Sequence, residues 1–78
     1  MNGYNLKILR KHRGYTQTTL GNAVGATKGT VSTWETGCRN PSISTLIKLA
    51  DLLDCSIDVL LRDEMLSLFD LGGNENGK

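Results

Sequence analysis

The sequence predicts an all-α domain of five short helices, and three observations carry that expectation. Apolar residues recur three and four apart along most of the 78-residue chain, while the alternation of a half-buried strand is scarce. Thr16, Thr27, Ser42 and Ser56 each stand just before such a run, where a side-chain oxygen can cap the first amides of a helix. Gly14, Gly25 and Gly37 stand just after one, where a departing chain favours a residue without a Cβ.

The first helix is expected from about Asn5 to His12 or Arg13, with Leu6 and Leu9 facing inward and Arg10 one step round the wheel. Gly14 ends it, and Tyr15 turns back onto the core. The second helix follows Thr16 and ends near Val24; Leu20 and Val24 form its stripe, and Gly21 is small enough to let a neighbouring helix approach. The third follows Thr27 and ends near Thr36, with Val31 and Trp34 three apart and buried. Asn40-Pro41 makes the next loop extended or turned. Ser42 caps the fourth helix, where Leu46, Leu49, Ala50 and Leu53 face inward and Ile43 and Ile47 broaden the stripe. Ser56 caps the fifth. Asp58 complements the positive end of its dipole, and Ile57, Leu60 and Leu61 close the core.

Residues 16–37, TQTTLGNAVGATKGTVSTWETG, read as two short helices hinged at Gly25, the layout of a helix-turn-helix. Such a pair buries one side of its second helix and leaves Lys28, Gly29, Ser32 and Thr33 facing outward. A face of that width and chemistry can enter a DNA major groove, so double-stranded DNA is the expected partner.

Length and composition narrow the alternatives. A domain of this size buries only about 60% of the surface its unfolded chain exposes, so association with a second copy would help it. A hydrophobic content of 38% with a single Pro argues for a folded chain. No apolar run is long enough to cross a membrane, and the opening MNGYNLKILRKHRG lacks the apolar core of a signal peptide, so a cytoplasmic protein is expected. Cys38 and Cys55 form no C-x-x-C pair and have only His12 as a nitrogen partner. Neither a metal site nor another cofactor is expected, nor a small-molecule ligand. Cys55 reads as a small apolar residue, Cys38 as a loop thiol and His12 as a solvated or stacking side chain. No nucleophile–base–orienter set is present in the sequence, so an enzyme is not expected.

The charge is more informative once it is placed. Residues 1–40 hold Lys7, Arg10, Lys11, Arg13, Lys28 and Arg39 against Glu35 alone. Residues 41–78 hold three basic residues against seven acidic ones, and the whole chain comes to +1. A positive half that contains the reading head, backed by a negative half, would orient the protein on a polyanion.

The strings LRKHRGYTQ (Leu9 to Gln17), LG (Leu20, Gly21), VSTWETGCRNPS (Val31 to Ser42) and LIKLADLLDCSIDVLL (Leu46 to Leu61), with Gly25 between, occur in a distinctive register. Together they resemble the lambdoid-repressor and Cro-type helix-turn-helix family, also called the xenobiotic-response-element family. The resemblance covers roughly residues 5–62 and implies a compact five-helix DNA-binding domain over 1–62. It leaves 63–78 as an extension. It also implies a transcriptional regulator, most simply a repressor that binds an inverted-repeat operator as a homodimer. The alternative is an antitoxin that grips a toxin with a second surface. In the extension, Met65, Leu66, Leu68 and Phe69 make a one-face apolar patch that either folds back on the domain or serves as a dimerisation strip. Leu71 to Lys78 is Gly- and Asn-rich and is expected to be disordered.

Base reading and backbone contact call for different residues. Lys28 heads the base-reading set, since its ammonium can donate to O6 and N7 of guanine. Thr33 can meet a thymine methyl or donate through its hydroxyl, Ser32 flanks that face, and Thr30 stands within reach of a base or a sugar–phosphate oxygen. Gly29 departs from the family, which usually supplies a side chain there; Gly21 departs where the family favours Ala. Gln17, in the first turn of the second helix, is placed to receive a phosphate. The resemblance adds that this Gln contacts the DNA backbone and braces the start of the third helix. Thr16, Arg13 and Arg39 are further backbone candidates, and the resemblance places Thr36 with them. It also implies an ion pair between Arg10 and Glu35 that fixes the third helix against the first.

Overall fold

The computed structural model describes residues 1–66, and over these it is all-helical. Helix α1 spans Gly3–His12, α2 Gln17–Val24, α3 Lys28–Thr36, α4 Ile43–Leu52 and α5 Ile57–Leu61. The caps follow the sequence chemistry. Thr16, Thr27, Ser42 and Ser56 accept from the amides of Thr19, Thr30, Thr45 and Val59. At α2 the arrangement is reciprocal, because the Thr16 amide also donates to the Thr19 hydroxyl at 2.8 Å. Gly25 and Gly37 leave α2 and α3 with left-handed backbone, φ 79° and 84°.

Helix α1 begins two residues earlier than expected. Asn2 supplies the reason: its side chain accepts from the Asn5 amide at 3.1 Å. The same Asn2 side chain donates to the Arg62 carbonyl at 2.8 Å, tying the start of the chain to the end of α5.

Leu6, Leu20, Val31, Leu49, Leu53 and Leu60 form the fully buried centre, with Leu9, Val24, Trp34, Leu46 and Ala50 around them. Tyr15 packs partly buried against this core. Four residues expected inside are exposed instead: Ile43 (77%), Ile47 (46%), Ile57 (36%) and Leu61 (50%). The helices are short and the core is narrow. Leu46, Leu49 and Ala50 of α4 and Leu60 of α5 fill it, and the flank of each stripe is left in solvent.

Leu66 is buried in the core, whereas its neighbour Met65 is exposed. Asn5 arranges this. Although fully buried, its amide donates to the carbonyls of Val59 and Glu64, both at 2.9 Å, and accepts from the Leu66 amide at 2.8 Å. A buried amide with its bonds satisfied fixes the backbone that satisfies it. Of the apolar patch read in the extension, Leu66 therefore turns inward, and Leu68 and Phe69 lie outside the described residues. So does the Gly- and Asn-rich tail from Leu71. No helix of the described residues is long and apolar enough to cross a membrane.

Candidate nucleic-acid interface

Helices α2 and α3 are joined by a turn only three residues long, Gly25 to Thr27. The amides of Gly25 and Ala26 both close onto the carbonyl of Gly21, the latter at 2.8 Å. A Cβ at Gly21 would lie 2.7 Å from the Ala26 carbonyl oxygen. The glycine therefore does more than lower rigidity, because the turn occupies the volume of its missing side chain.

Behind α3, Glu35 is a hub. Its carboxylate receives Arg10 Nε at 2.6 Å and Arg10 Nη2 at 3.3 Å, and the two side chains are only 8% and 4% exposed. The third guanidinium nitrogen, Nη1, donates to the Tyr15 carbonyl at 2.9 Å. Gln17 Nε2 adds a further bond to Glu35 Oε1 at 3.0 Å. The brace from Gln17 thus falls on the C-terminal end of α3, not on its start, because Glu35 already stands beside the beginning of α2. Helices α1 and α2 converge on one carboxylate, and α3 is fixed from behind.

In front, Lys28 and Gly29 are exposed, and Thr30, Ser32 and Thr33 are half-buried. Their hydroxyls are partly occupied. Thr33 Oγ1 donates to the Thr30 carbonyl at 2.6 Å, and Thr30 Oγ1 lies 3.0 Å from Thr27 Oγ1. Thr36 turns its hydroxyl back to the Ser32 carbonyl at 3.1 Å and rests beside the exposed Cys38 thiol. Arg39 is exposed on the loop after α3, and Thr16 is exposed as the α2 cap.

Arg13 is drawn elsewhere. Its Nε donates to the Leu53 carbonyl at 2.9 Å and its Nη2 to the Asp54 carbonyl at 3.4 Å, so the guanidinium caps the C-terminal end of α4. Cationic side chains are favourable at that end of a helix. The sequence missed this use because the bond spans 40 residues. Of the basic residues in the positive half, Arg10 is buried and Arg13 is bonded to the α4 end, whereas Lys28 and Arg39 are exposed on and just after α3, as are Lys7 and Lys11 on α1.

Beside Arg13, burial pushes the Cys55 thiol up from its ordinary pKa, with Arg13 pulling the other way and Asp54 adding to the rise. The half-buried thiol packs against the core.

An all-helical unit whose second and third helices meet through a three-residue turn, with a solvated α3 braced by a buried ion pair, defines a repressor-type helix-turn-helix domain. The chain belongs to the helix-turn-helix family, whose profile matches residues 6–60. Two regulators of Bacillus subtilis (strain 168) are similar to it. The uncharacterised transcriptional regulator YqaE is 38% identical over 60 residues, covering 77% of this chain and 52% of that protein. AnsR is 38% identical over 64 residues, covering 82% and 55%. The chain therefore spans about half the length of these relatives. Among solved structures, the P22 c2 repressor in complex with a synthetic operator superposes with a TM-score of 0.74 at 32% identity, over 80% of this chain and 94% of that one. SinR, a master regulator of biofilm formation solved with DNA, superposes at 0.71 and 36% identity, over 80% and 100%.

Proposed function

We propose that this protein is a sequence-specific, double-stranded-DNA-binding transcriptional repressor that occupies an inverted-repeat operator as a homodimer in the cytoplasm. The observation that carries the reading is the two-sided character of α3. Arg10 and Gln17 hold Glu35 from behind, while Lys28 and Gly29 stand free at the front of the helix. A helix fixed against its own domain can enter a groove without losing its orientation.

In this reading Lys28, Thr33, Ser32 and Thr30 address base edges or the adjoining backbone, and Gly29 lets the main chain of α3 come close to the DNA. Gln17, Thr16, Arg39 and Thr36 meet phosphates. The Thr19 and Leu20 amides go to Thr16, which leaves the Gln17 and Thr18 amides at the helix start to point at an anion. Arg13 serves the α4 end through Nε and Nη2.

Dimerisation is supported by the apolar surface that the core leaves out. Ile57 and Leu61, four apart on one face of α5, are both exposed, and Met65, on the segment that leaves the helix, is 65% exposed. A second copy packed there would pair two reading heads, as a two-fold operator requires. The relatives that match are named as transcriptional regulators, which favours this reading over an antitoxin.

Selection of bound duplexes from a random pool tests the proposal. The expected product is an inverted repeat with half-site centres about 34 Å apart, bound with an affinity that falls steeply with salt. A pool with no enriched sequence, or a flat salt response, would count against DNA reading; enrichment of single half-sites would count against the dimer.

A further inference from the structure

Gly3 opens α1, and it lies directly on the last turn of α3. A Cβ at this position would overlap the carbonyl oxygen of Glu35 and lie 2.5 Å from that of Trp34 and 2.7 Å from the Glu35 carbonyl carbon. All three are backbone atoms, which cannot swing aside as the end of a side chain can. The contact also brings the positive end of the α1 dipole to the negative end of α3, where helix carbonyls lack intrahelical partners.

The same helix grips the same residue a second time. Arg10 is seven residues beyond Gly3, which is two turns along one face of α1 and about 10 Å along its axis. There it holds the Glu35 carboxylate through two bonds. Leu6, between the two grips, is fully buried. Because one contact takes the Glu35 carbonyl and the other its carboxylate, they fix how the last turn of α3 is oriented against α1 as well as how far away it lies.

We propose that Gly3 is a positioning residue for DNA reading: by admitting backbone contact between α1 and α3, it sets the tilt at which α3 presents Lys28 and Thr33. This rests on the reading that α3 addresses the bases. Relieving the overlap at Gly3 requires a movement of about 1 Å, which exceeds the tolerance of about 0.5 Å within which a binding constellation keeps its geometry. The consequence falls on base contacts. Affinity for random DNA depends on charge and tolerates such a shift.

The test compares wild type with Gly3→Ala by titration against the selected operator and against a random duplex of equal length. Residual dipolar couplings on both proteins report the angle between α1 and α3. The expected result for Gly3→Ala is a changed angle, a loss of operator affinity of about tenfold or more, and random-duplex affinity within about twofold of wild type. If the first turn of α1 unwinds and the α1–α3 angle and operator preference both persist, the proposal is overturned. An equal fall on both duplexes overturns it too, since Gly3 would then serve the fold alone. A wild type without operator preference defeats the base-reading proposal instead, and the interhelical angle then still decides the role of Gly3. Should Gly3→Ala be unfolded in buffer, both proteins are measured in trimethylamine N-oxide, which favours compact states without adding screening salt.

Discussion

Arg10 and Glu35 meet edge to edge through bonds of 2.6 and 3.3 Å, almost wholly shielded from water. The remaining guanidinium nitrogen goes to Tyr15, and the shared carboxylate oxygen to Gln17. Desolvating two ions offsets much of their attraction, so the pair is better understood as fixing geometry than as supplying net stability. Breaking it is a different matter. Glu35→Ala strands a buried guanidinium and should cost about 3–5 kcal/mol, seen as a lowered midpoint in urea. Arg10→Met combined with Glu35→Leu should cost markedly less, and an additive loss in the double variant would show that charge is not the issue.

Gly21→Ala sets two effects against each other. Alanine gains up to about 1 kcal/mol over glycine inside a helix. Its methyl, however, would meet the Ala26 carbonyl oxygen at 2.7 Å, on a backbone held by its own bond to Gly21. Sterics should win, and the unfolding midpoint should fall. At Gly29 nothing nearer than Thr27 Oγ1 at 3.9 Å stands in the way, so Gly29→Ala should raise it. The same substitution with opposite signs, read by thermal unfolding, isolates the turn contact from helix propensity.

The elements that the sequence revealed were those whose chemistry is local. Thr16, Thr27, Ser42 and Ser56 each find their partner amide three residues on, and Gly25 and Gly37 take their left-handed backbone from the helix they end. What it hid depends on residues far apart in the chain. Asn5 satisfies its amide 54 to 61 residues away, and Arg13 its guanidinium 40 residues away. Nothing in the text GYN marks Gly3 as the seat of Glu35. Ile43, Ile47, Ile57 and Leu61 show the limit of periodicity: spacing locates a stripe, but the width of the core decides how much of it is covered.

The two thiols should separate by reactivity. Cys38 is exposed, whereas Cys55 is half-buried with its pKa pushed up by burial. Only the thiolate is nucleophilic, so iodoacetamide at mildly alkaline pH should modify Cys38 first, with Cys55 slower by about tenfold or more as followed by mass spectrometry. The folded chain holds the Cys55 proton more tightly than the unfolded chain does. Stability from this group is therefore complete below the ordinary thiol value of 9.0 and falls as pH rises past it. Cys55→Ala should remove that alkaline component, whatever its packing cost at neutral pH.

Leu61→Glu should separate assembly from folding. The side chain is half exposed, so the cost to a lone domain should stay within about 0.5 kcal/mol. A carboxylate brought to an apolar two-fold interface is costly, because each copy carries it in. Sedimentation should show monomers, and operator affinity should fall while random-duplex affinity holds. A variant that still sediments as a dimer would move the interface away from α5.

Lys28 is expected to supply the main base choice. It is the first residue of α3 and exposed, and in the proposed binding mode this end of the helix enters the groove foremost. Guanine offers O6 and N7 on one groove edge, and a compact ammonium can donate to both. Gly29 beside it presents no competing side chain, and the hydroxyls of Thr30 and Thr33 already have partners in the Thr27 cap and the Thr30 carbonyl. Lys28→Ala should therefore cost about 1–3 kcal/mol on the preferred operator and much less on random DNA. Arg39→Ala is the contrast: exposed on the following loop, it should weaken all duplexes alike and reduce the salt slope by about one. Titration against operators carrying each base at each half-site position reads both effects. If Lys28→Ala keeps the full base preference, its ammonium sits on a phosphate, and choice must come from the hydroxyl face or from the shape of the DNA.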